Sequence, residues 1–382
     1  MEKIPLLRFK IFKKKWSEYK LSQKCNIYSG RDYKHLKNGN IPVYGSGGYM
    51  LSVSESLSDK DAIGIGRKGS INNPFLLRAP FWTVDTLFYV INNEQTDLLF
   101  LYQIFQKVRW KKYDESTGVP SLSKKTIESV RVVTPSLPEQ SAIGSLFRTL
   151  DDIITSYKDN LVNYQSLKTT MLSKMFPKAG QTIPEIRLDG FEGEWKKSKL
   201  KDVAHRVQGN DGRMDLPTLT ISASGGWMNQ IDRFSANIAG KEQKNYTLLK
   251  KGELSYNHGN SKLAKYGVVF ELQDYEEALV PKVYHSFRVN QLADAKFIEI
   301  MFSTKIPDRE LGKLVSSGAR MDGLLNISFD DFMNIAIIIP TIEEQQAIGS
   351  YFSKLDQLIT SYREKITQLE TLKKKLLQDM FI

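Results

Sequence analysis

Apolar side chains recur along two segments of the chain in steps that alternate between four and three residues. This spacing places them on one face of an α-helix and predicts that the helix packs lengthwise against another helix. The first segment follows Pro135 and the second follows Pro340. Ser136 with Glu139, and Thr341 with Glu344, have the spacing of a capping box. The expected helix-pairing residues are Ile143, Phe147, Leu150, Ile154, Tyr157 and Leu161 in the first segment, and Ile348, Phe352, Leu355, Ile359, Tyr362 and Ile366 in the second.

The two helical segments belong to a larger internal repeat. Residues 135–176 match residues 340–381 position by position, and both copies end in Met-Phe. A shorter opening segment is also written twice, since residues 4–21 align with residues 183–200 at shared Ile-Pro, Arg, Phe, Trp and Lys-Leu positions. The chain is therefore predicted to be two half-units, each with an opening segment, a variable region and a closing helix.

The length of the closing helices predicts how the half-units are joined. A helix of about 40 residues is a rod of roughly 60 Å, longer than one small domain can cover. The two helices are expected to pair, although each could instead lie on its own domain. An antiparallel pair places one domain at each end and relates the halves by an approximate twofold axis. The predicted domains are 1–134 and 179–339; the helical segments are 135–178, which includes a linker, and 340–382.

Both variable regions combine short β-rich runs with an amphipathic helix. In the first, residues 62–66 and 86–91 predict strands and residues 98–108 predict a helix. The matching elements of the second region are predicted at 267–272, 283–289 and 293–303. The expected fold class is α+β, with two mixed α/β domains joined by two long antiparallel helices that form a pseudo-twofold symmetric coiled coil.

Composition narrows the class of function. The 382 residues include 54 Lys and Arg against 43 Asp and Glu, which gives a net charge of +11. This excess favours a polyanionic partner, nucleic acid first, although many soluble proteins are basic without binding it. The single cysteine, Cys25, cannot form an internal disulfide, and no apolar run approaches the roughly 20 residues that span a bilayer. We expect a cytoplasmic protein without membrane contact.

Motifs that would indicate catalysis are incomplete. Gly64, Gly66 and Gly69 have the spacing of a dinucleotide fingerprint, but Pro74 opposes the helix that such a site requires. Residues 73–75 read Asn-Pro-Phe and lack the second proline of an amino-methyltransferase tetrad. The four histidines are scattered without metal-ligand spacing. A non-catalytic chain without a metal site is expected.

Several motifs are distinctive in their order and duplication. The second opening segment reads Gly-Phe-Glu-Gly-Glu-Trp up to Trp195, and each closing helix starts with Pro-x-x-x-Glu-Gln-x-x-Ile-Gly. The first variable region adds residues 41–48, 65–69 and 80–86. In this layout the whole chain resembles the specificity (S) subunit of type I restriction-modification systems. The first opening segment departs from the pattern, since residues 12–16 read Phe-Lys-Lys-Lys-Trp.

The resemblance implies a function and a set of partners. It implies a DNA-recognition subunit whose two domains each read one half-site of a bipartite, asymmetric target, while the helices set the unread spacer. The implied partners are double-stranded DNA, two methyltransferase (modification) subunits and the restriction (translocase and nuclease) subunits. S-adenosylmethionine, ATP and Mg²⁺ are expected on those subunits, and no cofactor is expected on this chain.

Candidate DNA contacts are cations for phosphates and polar loop residues for base edges. Residues 109–113 interleave cations with aromatics, which fits either a DNA contact or a solvated helix end above core aromatics. The candidates of the first region are Tyr44, Ser46, Gly47, Arg67, Lys68, Lys111, Lys112, Ser116 and Thr117. Those of the second are Ser222, Ser224, Asn257, His258, Asn260, Lys262, Lys265, Ser316, Ser317 and Arg320.

Other interpretations stay open at the level of sequence. A coiled-coil adaptor joining two protein-binding domains explains the helices, but explains neither the charge nor the repeated opening segments. A specificity subunit encoded by a silent recombination donor would have the same sequence features.

Overall fold

A computed structural model describes residues 4–234, 240–259, 261–315 and 324–382. The chain divides into two compact units. Unit 1 comprises Met1–Asn160 with Tyr362–Ile382, and unit 2 comprises Leu161–Ser361. Each unit therefore contains one variable region, the start of its own closing helix and the end of the other closing helix.

Unit 1 is a mixed α/β domain. Its four-stranded antiparallel sheet has the order β2-β8-β5-β6, beside a three-stranded sheet β4-β3-β7 and the pair β1-β9. The predicted strands at 62–66 and 86–91 and the predicted helix at 98–108 are confirmed within a residue or two. The strands are β1 Ser17–Lys20, β2 Cys25–Ser29, β3 Asn38–Gly45, β4 Gly48–Val53, β5 Ala62–Gly66, β6 Phe75–Leu77, β7 Trp82–Thr83, β8 Leu87–Asn92 and β9 Arg131–Thr134; the helices are α1 Leu98–Lys107, α2 Lys124–Ser129 and the first part of α3 Leu137–Lys174.

Unit 2 has a similar plan. Its four-stranded sheet has the order β11-β18-β15-β16, and three two-stranded pairs, β10-β19, β12-β13 and β14-β17, accompany it. The strands are β10 Lys196–Lys199, β11 Ala204–Arg206, β12 Leu219–Ser222, β13 Gly226–Asn229, β14 Thr247–Lys250, β15 Leu254–Asn257, β16 Val268–Glu271, β17 Glu277–Val280, β18 His285–Val289 and β19 Ala336–Ile339; the helices are α4 Leu200–Val203, α5 Gln230–Phe234, α6 Ala295–Ser303, α7 Asp308–Leu314, α8 Phe329–Met333 and α9 Ile342–Asp379.

The opening segments anchor the closing helices in the same way in both units. The strand after the opening segment pairs antiparallel with the strand before the helix, β1 with β9 and β10 with β19. Beside this pair, the guanidinium of Arg8 donates to both carboxylate oxygens of Glu139 at 2.7 Å. Arg187 donates likewise to Glu344, at 2.7 and 2.6 Å. Both glutamates are almost fully buried, so each ion pair fixes a helix start to its domain.

This arrangement corrects the expected capping box. The box requires the glutamate to reach back to the start of its own helix. Instead, the carboxylates of Glu139 and Glu344 accept hydrogen bonds from the arginines of the opening segments. In the second helix the Glu344 amide lies 3.4 Å from the Thr341 hydroxyl, which is the other half of the box. The sequence pattern located the helix start correctly but assigned the glutamate the wrong partner.

The two closing helices run antiparallel inside each unit. In unit 1, Asp151 pairs with Lys373 at 2.5 Å and Lys158 pairs with Glu370 at 2.6 Å, so numbering rises along α3 as it falls along α9. In unit 2 the equivalent ion pair joins Lys168 to Asp356 at 2.5 Å. The predicted α+β class with two long antiparallel helices is therefore confirmed. The pairing residues are buried, except for half-buried Tyr157, Leu161 and Tyr362.

The start of each apolar stripe packs into a domain core. Ile143 and Phe147 lie in the unit 1 core, where Phe100 stacks on Phe381 from the end of α9 at 5.2 Å between ring centroids. Ile348 and Phe352 lie in the unit 2 core, whose stacked pair is Phe176 with Phe297 at 5.5 Å. The repeated Met-Phe sequence therefore follows each long helix directly and packs into a domain core.

Candidate nucleic-acid interface

Three loops of unit 1 meet at one end of its sheets. They are the hairpin turn between β3 and β4 (45–48), the turn after β5 (67–70) and the loop 114–121. The amides of Gly69 and Leu122 donate to the carbonyl oxygens of Pro120 and Arg67, at 2.8 and 2.9 Å, which joins the second loop to the third. The Ser46 hydroxyl lies 3.3 Å from the position that a Cβ on Gly69 would occupy. We call this surface the three-loop face of unit 1.

The structure places most candidates of the first region on this face, and Lys111 and Lys112 on the turn that leads into its third loop. Gly47, Arg67, Lys68, Lys111, Lys112 and Thr117 are exposed, and Tyr44, Ser46 and Ser116 are half-buried. Arg67 and Lys68 line a hollow of about 340 Å³ between the second and third loops, together with Ser29, Lys124 and the acidic Glu115. The face thus presents cations and hydroxyls of the kind that contact phosphates and base edges.

Asp114 holds the third loop in shape. Its Oδ1 accepts hydrogen bonds from the Ser121 amide, the Ser116 amide and the Ser116 hydroxyl, at 2.9, 3.0 and 2.9 Å. These hydrogen bonds lower the pKa of Asp114, and the bond from the Ser121 amide has the largest effect. The loop is therefore tied at its base, and Thr117 and Val119 project from its exposed tip.

Residues 109–113, where cations and aromatics alternate, fit both interpretations from the sequence: a core aromatic and exposed cations that could contact DNA. Trp110 is buried and its indole donates to the carbonyl of Phe105 at 2.8 Å, so this aromatic belongs to the core. Lys111 and Lys112 lie on the same short 3₁₀ turn and remain exposed. The tryptophan therefore anchors the turn that carries the two lysines.

Residues that the sequence reasoning missed lie beside the hairpin turn. Lys34, Tyr49 and Met50 line a groove of about 700 Å³ with the turn itself, and Asp32 and Asp85 also line it. Tyr49 and Met50 are 63% and 49% exposed and adjacent, so they form a small apolar surface beside the turn. Their position directly after a Gly-Gly pair on a predicted turn was the signal that could have identified them.

Unit 2 builds a corresponding face from equivalent loops. The hairpin turn between β12 and β13 (222–226) takes the place of 45–48, and the turn after β15 begins at His258. The Leu325 amide donates to the His258 carbonyl at 2.9 Å, as the Leu122 amide does to the Arg67 carbonyl. The Asn257 side chain donates to the Ile221 carbonyl at 3.2 Å, which ties the second turn to the hairpin.

His258 is a correction to the candidate set. Its side chain is only 5% exposed, and both ring nitrogens lie 2.8 Å from backbone carbonyl oxygens, those of Leu325 and Val283. The ring also stacks on His285 at 4.7 Å. A base edge would have to displace these contacts, so His258 holds the loops together and is removed from the predicted DNA contacts.

The remaining candidates of the second region differ in exposure. Ser224, Lys262 and Lys265 are exposed, whereas Ser222 and Asn257 are half-buried. Asn260, Ser316, Ser317 and Arg320 lie outside the described residues, so their placement is not tested.

In the described part of the chain, no group of three or more His, Cys, Asp or Glu side chains is arranged to hold a metal ion. None of its helices is both long enough and apolar enough to cross a membrane.

Comparison with known proteins connects this architecture to a family. The family model for the type I restriction modification DNA specificity domain matches twice, at residues 13–164 and 192–371. The type I restriction enzyme MjaVIII specificity subunit of Methanocaldococcus jannaschii is 23% identical over 301 residues, 75% of this chain and 69% of that protein.

A solved structure shares the fold. The S subunit of a type I restriction-modification system from M. genitalium superposes with a TM-score of 0.66 at 14% identity, over 99% of both chains. The HsdS subunit from Thermoanaerobacter tengcongensis matches with a TM-score of 0.44 at 15% identity, over 96% of both chains. Because the two family matches together cover most of the sequence, one in each half, this chain belongs to the type I restriction-modification DNA specificity family.

Proposed function

We propose that this chain reads a bipartite, asymmetric DNA target for a type I restriction-modification complex. Unit 1 reads one half-site and unit 2 reads the other, while α3 and α9 set the length of the unread spacer. The chain itself performs no catalysis. It positions two methyltransferase subunits for adenine methylation, and S-adenosylmethionine, ATP and Mg²⁺ are bound by the methyltransferase and restriction subunits.

The observation that carries this proposal is one framework with different side chains at equivalent positions. The carbonyls of Arg67 and His258 accept the same hydrogen bond, from Leu122 and Leu325. Yet the Arg67 side chain is exposed and the His258 side chain is buried. Because base edges are read by side chains, two faces that differ in this way are expected to read different sequences.

The long helices support the spacer role. Each contains 38 residues, which gives a length of about 57 Å at 1.5 Å per residue. Phe176 and Phe381, just beyond their ends, are buried in domain cores. A helix that is anchored by packing at both ends resists sliding. Its length is therefore expected to set the number of base pairs between the two half-sites.

Mapping methylated adenines tests the proposal directly. The chain would be the only specificity subunit in a host that supplies the methyltransferase subunits. The expected result is a target of two different half-sites, each with one modified adenine, separated by a fixed number of unread base pairs. A continuous site, or two identical half-sites, would contradict it. A host that expresses the methyltransferase alone is the control.

Two altered chains separate the roles of domains and helices. Replacing residues 22–134 with the corresponding region of another family member is expected to change one half-site and leave the other intact. Removing two heptads from the middle of both α3 and α9 is expected to change the spacer alone. Altered half-sites with an unchanged spacer in the second chain would disprove the spacer role.

A further inference from the structure

The two hairpin turns share a motif although the rest of the loops differ. The β3–β4 turn reads Ser-Gly-Gly-Tyr-Met at 46–50, and the β12–β13 turn reads Ser-Gly-Gly-Trp-Met at 224–228. The aromatic residue is the second residue of the second strand in both units, paired with Tyr44 in β3 and with Ile221 in β12. The same five-residue pattern therefore lies at equivalent places on two faces that otherwise carry different residues.

The fold explains the second glycine and the methionine of this motif. Gly48 and Gly226 have φ angles of 110° and 68°, in the region that strongly favours glycine. The sulfur of Met50 lies 2.9 Å from where a Cβ on Gly45 would be, and the sulfur of Met228 lies 3.9 Å from where one on Gly225 would be. Met50 therefore occupies the space beside Gly45 at the base of its turn, whereas Met228 lies farther from Gly225.

The fold also explains the aromatic residue. The Tyr49 hydroxyl lies 3.2 Å from the Ser52 hydroxyl on the same strand. The Trp227 indole donates to the Glu271 carbonyl at 3.0 Å. Tyr49 is thus tied to its own strand, and Trp227 is tied to β16 of the four-stranded sheet.

The first glycine is not explained by the fold. A Cβ on Gly47 would have nothing within 4 Å, and one on Gly225 would meet only atoms at 3.9 Å, an ordinary contact. Neither residue has a φ angle in the left-handed region. Alanine would fit at both positions, so the free chain has no need of glycine there. A glycine that the fold does not need leaves the backbone open to close approach by another molecule.

We infer that Gly47 and Gly225 admit the sugar–phosphate backbone of DNA at a point common to both half-sites. The inference rests on the proposed function. A motif shared by two faces that read different bases serves the part of DNA that does not vary with sequence. The turn that adjoins Gly47 carries exposed Arg67 and Lys68, whose charge suits a phosphate. Asp32 and Asp85 line the groove itself, so the contact lies at the tip of the turn.

Gly47→Ala and Gly225→Ala, each in the full chain assembled with methyltransferase subunits, test the inference. Binding is measured to the mapped target duplex and to an unrelated duplex of equal length, and thermal unfolding is measured in parallel. Each variant should bind both duplexes about tenfold more weakly, because the added methyl group keeps the DNA backbone away and a hydrogen bond to a charged phosphate is lost. The melting temperature of the protein should not change. Gln95→Ala, exposed and beyond the other end of β8, is the control and should match the original chain.

Other outcomes overturn the inference. Unchanged affinity for both duplexes would show that the DNA backbone does not approach these glycines closely. Loss confined to the target duplex would mean that the turn reads bases, and a lowered melting temperature would mean that the fold requires the glycine. If the unaltered chain did not prefer the target duplex, the proposed function itself would fail, whatever the variants did.

Discussion

Removing the arginine of an opening segment is expected to loosen one closing helix and leave the other unaffected. Arg8 holds the carboxylate of Glu139, whose side chain is 1% exposed, with two hydrogen bonds of 2.7 Å. Arg187 holds Glu344 in the same geometry in unit 2. Arg8→Ala or Arg187→Ala would strand a buried carboxylate at the start of a long helix.

The expected loss is large and differs between the units. Stranding a buried charge costs about 3–5 kcal/mol. After Arg8→Ala the Glu139 carboxylate keeps the indole of Trp16, 3.2 Å away. The indole of Trp195 finds no hydrogen-bond partner among the described residues, so Glu344 lacks that second donor. Arg187→Ala should therefore cost about 1.5–3 kcal/mol more than Arg8→Ala, the contribution of one hydrogen bond to a charged group.

Hydrogen exchange in increasing urea measures both units in one sample. The amides of residues 140–147 and 345–352 report the start of each helix, and the unit without the substitution is the internal control. Replacing both members of a pair with apolar residues, Arg8→Met with Glu139→Leu, should recover most of the loss, since no charge is left buried. A loss below about 1 kcal/mol for either single substitution would refute the reasoning, because it would mean that the carboxylate is easily resolvated.

Three further outcomes are expected. A Cβ at Gly144 would lie 2.6 Å from the Asp97 carboxylate, whereas the nearest atom to one at Gly349 is at 3.1 Å; Gly144→Ala should thus cost about 1–3 kcal/mol in urea unfolding and Gly349→Ala clearly less. Burial lowers the pKa of His285 to about 4 from 6.5. Unit 2 therefore has the full benefit of the neutral ring above pH 6.5. As the pH falls toward 4 this contribution is lost, because the unfolded chain takes up the proton first. Replacing His285 with Gln should make the unfolding free energy depend less on pH across that range. Arg67→Ala should weaken DNA binding and reduce its salt dependence; an unchanged slope would show that Arg67 contacts no phosphate.

Much of the candidate site was accessible from sequence because loops are marked by turn residues. The glycines and serines around Ser46 and Ser224 indicate turns, and the structure places both on equivalent hairpins. The cations Arg67 and Lys68 follow a strand that its apolar run predicts, and they are exposed. Sequence reasoning did not recognise that the two hairpins carry one motif, because the turn in unit 2 is one residue longer.

Periodicity alone determined the long helices, their repeat and the positions of their apolar stripes. A helix places residues three and four apart on one face regardless of its partners, so the pattern can be read without coordinates. What packs against that face is a long-range choice. Only the tertiary structure showed that the Glu139 carboxylate accepts hydrogen bonds from Arg8 instead of capping its own helix. It also turned His258 inward where Arg67 points outward, because the space and carbonyl groups around each loop come from residues distant in sequence.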